Sequence, residues 1–213
     1  MKRSSDPRVV FCTTPIRPIP TDYTPVGSLS VISAINRAGF KNVEFYNIDL
    51  LRPSFAQAVE HIVAQKPDVL MISAVVSTAY EYTKNLSLAV KARLPELTIL
   101  MGGNMGTSAE VLLRKTGVDF ICTGEGERTA ADFMRRWAEG VPKDDFATVK
   151  GLAFLDSKGA LVVTPYAEAL KAEELYDIDW SILENLGQMG YFITPASRCA
   201  QLGVNDRDDA RIM

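Results

Sequence analysis

The chain has 213 residues, of which 47% are hydrophobic and 23% charged, and its formal net charge is −3. This composition is ordinary for a globular protein, and it lacks the basic excess typical of nucleic-acid binding. No apolar run reaches membrane-spanning length, and the first residues lack the apolar core of a signal peptide. The three cysteines are far apart and odd in number, as in reduced proteins. We therefore expect a cytoplasmic protein without nucleic-acid or membrane partners.

The first two-thirds of the chain alternates short apolar runs with segments of helical periodicity. The apolar runs predict buried strands at 8–14, 42–48, 68–75, 97–103 and 118–124. Helical periodicity predicts helices at 27–39, 53–65, 79–94, about 107–115, and a last one ending near 139. The spacing of Thr78 and Glu81 predicts a capping box at the start of the third helix, and Thr107 and Glu110 repeat this spacing.

Strands that alternate with helices predict an α/β fold with a doubly wound parallel sheet. The order 2-1-3-4-5 is expected because it needs only right-handed crossovers around one switch point. Residues 151–165 predict a β-hairpin that turns at 156–159. We therefore expect an α/β domain over 1–140, followed by a hairpin and linker extension over 141–213.

A ligand of such a sheet binds outside the carboxyl ends of the strands, near the switch point. The fourth strand is followed there by Gly102, Gly103, Gly106 and Thr107. Glycines at this place permit either a tight turn or the close approach of a large flat or phosphorylated ligand. Three glycines in five positions favour the second explanation, the close approach of a ligand.

The segment after the third strand contains Ser73, Ser77 and Thr78. These residues have two readings. Thr78 suits a helix cap and Ser73 the end of a strand, or the hydroxyl groups bind a ligand at the deepest point of the crevice.

The segment TGEGERT at 123–129 follows the fifth strand and contains two glutamates. A general acid and base need a reacting partner, and no nucleophile, metal site or histidine is predicted nearby. We interpret Gly124, Glu125 and Gly126 as part of a binding rim, with Glu125 facing the ligand. Glu127 is expected in the first turn of the last helix, where negative charge is favourable.

Other familiar sites are missing from the sequence. It contains no P-loop pattern, no metal-ligand spacing and no Ser-His-Asp or Cys-His set. The single histidine, His61, lies within a predicted helix and is expected to be structural. Cys12 and Cys122 lie within strands and are expected to be buried packing residues. We predict no catalytic residue and no protein ligand to a metal.

The succession GGNMGTSAEVLL, GVDFICTGEGERTAADFM, KGLAF and LYDIDWSIL resembles the amino-terminal cobalamin-binding domain of B12-dependent radical SAM enzymes. That group includes methyltransferases and anaerobic magnesium-protoporphyrin ester cyclases. The resemblance covers roughly residues 8–190. It implies a flavodoxin-like domain that holds cobalamin, with its cobalt, at the carboxyl ends of the strands.

The resemblance also implies which residues contact cobalamin. They are the Ser73 to Val75 segment after the third strand, the paired glycines beside the nucleotide tail, the rim from Gly124, and neighbouring positions. The complete set is Ser73, Val75, Ser77, Gly102, Gly103, Gly106, Thr107, Gly124, Glu125 and Gly126.

Two departures from the family pattern limit this expectation. Many cobalamin domains carry D-x-H-x-x-G after the first strand, but the sequence here is TTPIRPIPTDYTPVG, so the corrin is expected without a lower histidine ligand. The C-x-x-x-C-x-x-C motif that holds an iron–sulfur cluster is also missing. The iron–sulfur cluster and S-adenosylmethionine are therefore expected only in a longer parent enzyme, and this chain alone is not expected to be catalytic.

Three functions follow as alternatives. The leading one is a cobalamin-binding module; the others are a ligand-free regulatory or partner-binding domain that kept the fold, and a small enzyme with another nucleotide-like ligand. A radical SAM domain or a second copy of the chain is the expected partner. Either would cover apolar surface around Phe154, Trp180, Tyr191 and Phe192.

Overall fold

The computed structural model describes residues 6–75, 77–104, 108–174 and 177–192. Their centre is a seven-stranded sheet in the order β2-β1-β3-β4-β5-β6-β7. The strands are β1 (Val9–Thr13), β2 (Val43–Tyr46), β3 (Val69–Ser73), β4 (Thr98–Gly102), β5 (Phe120–Cys122), β6 (Leu152–Leu155) and β7 (Leu161–Val163). The first five pair in parallel, whereas β6 and β7 are antiparallel. The predicted flavodoxin-like order 2-1-3-4-5, followed by a hairpin, is confirmed.

Helices cover both faces of the sheet. They are α1 (Val26–Arg37), α2 (Ile48–Leu51), α3 (Phe55–Gln65), α4 (Tyr80–Arg93), α5 (Ala109–Lys115), α6 (Gly126–Glu139), α7 (Ser181–Asn185) and α8 (Met189–Phe192). Buried residues of α3, α4 and α5 share one core cluster with strand residues such as Val10 and Ile72. Those of α1 and α6 share the other with Phe11 and Met71. Successive residues of a strand point to opposite faces of the sheet, and helices bury both faces. The strands therefore appear in the sequence as continuous apolar runs.

The start of α4 differs from the prediction. The segment Ser77–Ala79 is a 3₁₀ turn, and α4 begins after Ala79 without a side-chain cap. The Thr78 hydroxyl instead donates to the Ile16 carbonyl oxygen at 3.0 Å. The predicted capping box of Thr78 and Glu81 is therefore wrong, because Thr78 is used to fasten the loop after β1. Thr107 of the second predicted box lies outside the described residues.

The hairpin belongs to the same sheet and the same core as the parallel strands. Phe154 of β6 pairs with Phe120 of β5, and their ring centroids are 5.4 Å apart. Phe133 and Phe146 also lie against Phe120, at 5.1 and 4.7 Å. Phe154 has no solvent exposure. The expectation of exposed apolar surface around Phe154 is therefore wrong, although Trp180 remains 38% exposed.

This packing makes the hairpin a structural part of the domain. We expect Phe154→Ala to lower the free energy of unfolding by about 3–5 kcal/mol, because it opens a cavity in the aromatic cluster. The control Val163→Ala changes a side chain on β7 that is 59% exposed, and should cost less than about 0.5 kcal/mol. Chemical denaturation measures both values. A loss below about 1 kcal/mol for Phe154→Ala would mean that the hairpin is an independent appendage.

Candidate functional site: a cavity at the carboxyl ends of the strands

A cavity of about 290 Å³ opens between the sheet and the helices α1 and α6. Its inner wall is apolar and includes Phe11, Met71, Leu100 and Cys122 from the strands. Val31 of α1 and Ala130 of α6 contribute from the opposite side. A flat apolar group can therefore enter between the layers. We call this space the tail cavity.

Most of the predicted site residues meet at the tail cavity. Its lining includes Ser73, Val75, Gly102, Gly103, Gly124, Glu125 and Gly126. Ser77 is exposed in the 3₁₀ turn and is not among the described lining residues. Gly106 and Thr107 lie outside the described residues.

The paired glycines Gly102 and Gly103 have different structural roles. Gly103 has φ of 101°, and a Cβ there would lie 2.4 Å from the carbonyl oxygen of Ala74. It is therefore required for the close approach of two backbone segments, independently of any ligand. At Gly102 a Cβ would make only an ordinary contact, 3.7 Å from the Cβ of Cys122. A larger side chain at Gly102 would occupy the tail cavity, so this glycine keeps the cavity open.

The two glutamates of the TGEGERT segment also differ. Glu125 precedes α6 and is exposed on the rim. Glu127 lies in the first turn of α6, as predicted, yet it is 8% exposed and lines the cavity. Its Oε1 accepts a hydrogen bond of 2.7 Å from the Ser30 hydroxyl of α1. Its Oε2 is buried without a hydrogen-bond partner among the described residues.

A second cavity, of about 310 Å³, adjoins the first under the loop after β1. Both cavities are lined by Gly27, Ser28, Ser73 and Val75, so they meet at the start of α1 and the end of the central strand. Thr14 and Asp49 are among its further lining residues. Together the two cavities form one continuous concave edge of the sheet.

The loop after β1, residues 14–25, is held from below by Asp49. This carboxylate is 5% exposed and accepts hydrogen bonds from the Ile16 and Thr21 backbone N–H groups at 3.2 and 3.1 Å. Its Oδ1 also pairs with Arg52 Nη2 at 2.6 Å. Arg52 adopts a left-handed conformation and donates to the carbonyl oxygens of Arg17 and Ile19. Two side chains thus fix the loop that lines the second cavity.

The histidine and the two described cysteines are not placed for catalysis. His61 Nε2 lies 2.5 Å from Glu44 Oε1, and its ring stacks on Tyr46, as expected of a structural residue. Burial raises the pKa of the Cys12 thiol to about 12 and that of Cys122 to about 11. Both remain protonated at neutral pH and act as apolar packing residues. No group of three potential metal-ligating His, Cys, Asp or Glu side chains occurs among the described residues.

The sequence that builds this fold and its cavities matches a known protein family. The family model for the B12 binding domain matches residues 13–134. The chain belongs to the B12 binding domain family. The matched range runs from the end of β1 into α6 and includes the described lining residues of both cavities except Phe11 and Phe192. This family assignment agrees with the cobalamin-binding domain that the sequence resemblance implied.

Relatives of the B12 domain are found among longer proteins. This chain is 27% identical over 152 residues to an anaerobic magnesium-protoporphyrin IX monomethyl ester cyclase from Rubrivivax gelatinosus. The alignment covers 70% of this chain and 27% of the cyclase. The chain is 28% identical over 168 residues to the protein of the same name from Synechocystis, covering 75% of this chain and 32% of that protein. The chain thus spans about a third or less of these relatives.

Solved structures show the same fold. The cobalamin-dependent S-adenosylmethionine radical enzyme OxsB with aqua-cobalamin bound superposes with a TM-score of 0.73 at 16% identity, covering 88% of this chain and 26% of OxsB. The radical S-adenosylmethionine methyltransferase TsrM from Kitasatospora setae gives a TM-score of 0.63 at 19% identity, covering 76% of this chain and 30% of TsrM.

In the described part of the B12 domain, no helix has the length and apolar character needed to cross a membrane.

The brace formed by Asp49 and Arg52 can be tested directly. We expect Asp49→Ala to lower the free energy of unfolding by about 2–4 kcal/mol, because it leaves partly buried backbone donors and a guanidinium without this acceptor. The matched control is Asp22→Ala in the same loop, whose exposed ion pair with Arg17 should contribute less than about 1 kcal/mol. Urea denaturation of both variants gives the comparison. Equal losses would show that Asp49 does not hold the loop.

Proposed function

We propose that the B12 domain binds cobalamin with its nucleotide tail inserted in the tail cavity and its corrin lying across the rim. The observation that carries this proposal is the apolar space kept open by Gly102 between the sheet and two helices. Its volume of about 290 Å³ is close to the lower limit of about 300 Å³ for ligand pockets. A benzimidazole base fits the apolar wall, whereas the wider corrin has to remain outside.

The lower face of the corrin would then rest on the loop after β1 without a protein ligand to cobalt. This loop contains no histidine, and the single histidine of the chain is paired with Glu44 of β2. The loop is instead held by Asp49 and Arg52, which offers the corrin a fixed surface. Cobalamin would supply alkyl-transfer or electron-transfer chemistry at its cobalt, and the residues of this chain would bind and orient it.

We further propose that the B12 domain works as the cobalamin module of a radical SAM enzyme in the cytoplasm. Its similarity to segments of much longer relatives supports this. A radical SAM domain would supply the iron–sulfur cluster and S-adenosylmethionine. Partly exposed aromatic residues near the end of the described chain, Trp180 and Tyr191, offer apolar surface for that domain or for a second copy of the chain.

Retention of hydroxocobalamin tests the binding proposal. The purified chain is incubated with hydroxocobalamin and passed over gel filtration, and visible absorbance is recorded across the protein peak. We expect corrin absorbance to travel with the folded protein. Folded protein without corrin absorbance at micromolar concentrations would indicate a domain that kept the fold and lost its ligand.

Gly102→Val tests where the ligand lies. The new Cβ has room beside Cys122, so the fold should persist, but the isopropyl group would project into the tail cavity and weaken cobalamin binding at least about tenfold. Gly190→Val is the control, since a side chain there meets nothing within 4 Å in an exposed turn of α8. Equilibrium dialysis measures affinity and circular dichroism verifies folding. Unchanged affinity in a folded Gly102→Val variant would place the ligand elsewhere.

A further inference from the structure

Glu127 carries a buried carboxylate oxygen that nothing in the described protein uses. The side chain is 8% exposed, and the Ser30 hydroxyl satisfies only its Oε1. Its Oε2 has no hydrogen-bond partner among the described residues. Burying an ionised oxygen without a donor costs free energy, so a retained side chain of this kind requires a physical reason.

The position of Glu127 indicates that its missing partner is a ligand group. Glu127 lies in the first turn of α6 and lines the tail cavity. The helix dipole favours its negative charge there, and the Ser30 hydroxyl fixes the orientation of the carboxylate. A fixed acceptor beside an apolar cavity can recognise a neutral hydrogen-bond donor and would repel a phosphate.

We propose that Glu127 accepts a hydrogen bond from a neutral donor on the nucleotide tail of the bound corrinoid. This inference rests on the proposed insertion of the tail in the cavity. The corrin is too wide to enter, so its amide groups remain at the rim with Glu125. The part that enters carries a phosphate, a ribose and a base, and only the ribose hydroxyl or an amino group of a purine base can donate without charge. Dimethylbenzimidazole, the base of cobalamin, has no such donor.

The test compares corrinoids that differ only in this tail. Cobinamide lacks the nucleotide, cobalamin contains ribose and dimethylbenzimidazole, and adeninylcobamide contains ribose and a base with an amino group. Dissociation constants are measured by visible titration for the wild-type chain and for Glu127→Met, which retains the volume but has no acceptor oxygen. Glu127→Ala is measured in parallel, so that one folded variant without the acceptor is available. Glu139→Ala, at the exposed far end of the same helix, is the control.

Removing the acceptor should weaken cobalamin binding about tenfold and leave cobinamide binding unchanged. Glu127→Gln should retain cobalamin affinity within about threefold, because its amide oxygen still accepts while its NH₂ group turns to Ser30. An equal loss for cobalamin and adeninylcobamide assigns the donor to the ribose, whereas a larger loss for adeninylcobamide assigns it to the base.

Two results would overturn this role of Glu127 while leaving the proposed function standing. In the first, Glu127→Met and Glu127→Ala bind cobalamin as tightly as the wild-type chain does. In the second, these variants lose the same affinity for cobinamide as for cobalamin. If the folded wild-type chain binds none of the three corrinoids, the proposed function itself is rejected.

Discussion

The contact between α1 and the first turn of α6 sets the geometry on which the rest of the site depends. A Cβ on Gly126 would lie only 2.8 Å from Cγ2 of Val31, so the missing side chain lets the two helices approach closely. The hydrogen bond from Ser30 to Glu127 then joins the same two helices across 97 residues of sequence. With the helices held in this way, the gap beside Gly102 becomes a cavity of fixed width.

The opposite side of the site is fixed by different chemistry. There the loop after β1 has no helix or strand of its own, and Asp49 and Arg52 replace regular hydrogen bonding with side-chain contacts to its backbone. Thr14 adds a hydrogen bond to the carbonyl oxygen of Ser73, which ties the loop to the central strand. A ligand at this edge therefore meets a slot between the sheet and two helices on one side and a braced loop on the other. This shape suits a corrinoid, which has a flat base at the end of its tail and a broad macrocycle.

The sequence was sufficient to predict the parallel sheet because strands buried on both faces appear as uninterrupted apolar runs. It also predicts that the segments after the parallel strands meet at one edge of the sheet, and residues of these segments do line one cavity. Features that depend on distant contacts were not predictable. The backbone contact between Gly103 and Ala74 cannot be read from a pair of glycines, and the partnership of Asp49 with the loop after β1 has no local signature. Glu127 was assigned to a helix turn correctly, but its burial follows only from the packing of α1. The sequence predicts the hairpin, whereas its place beside β5 depends on the long-range pairing of Phe154 with Phe120.

In the proposed binding mode, the nucleotide tail of cobalamin would leave cobalt and enter the cavity between the sheet and α1 and α6. Electron paramagnetic resonance of cob(II)alamin bound to the chain tests it most directly, because an axial nitrogen ligand splits the signal of the unpaired electron. A spectrum without axial-nitrogen splitting is expected, since the dimethylbenzimidazole would lie in the cavity and the loop after β1 provides no histidine. Persistent nitrogen splitting in the protein-bound cofactor would contradict it.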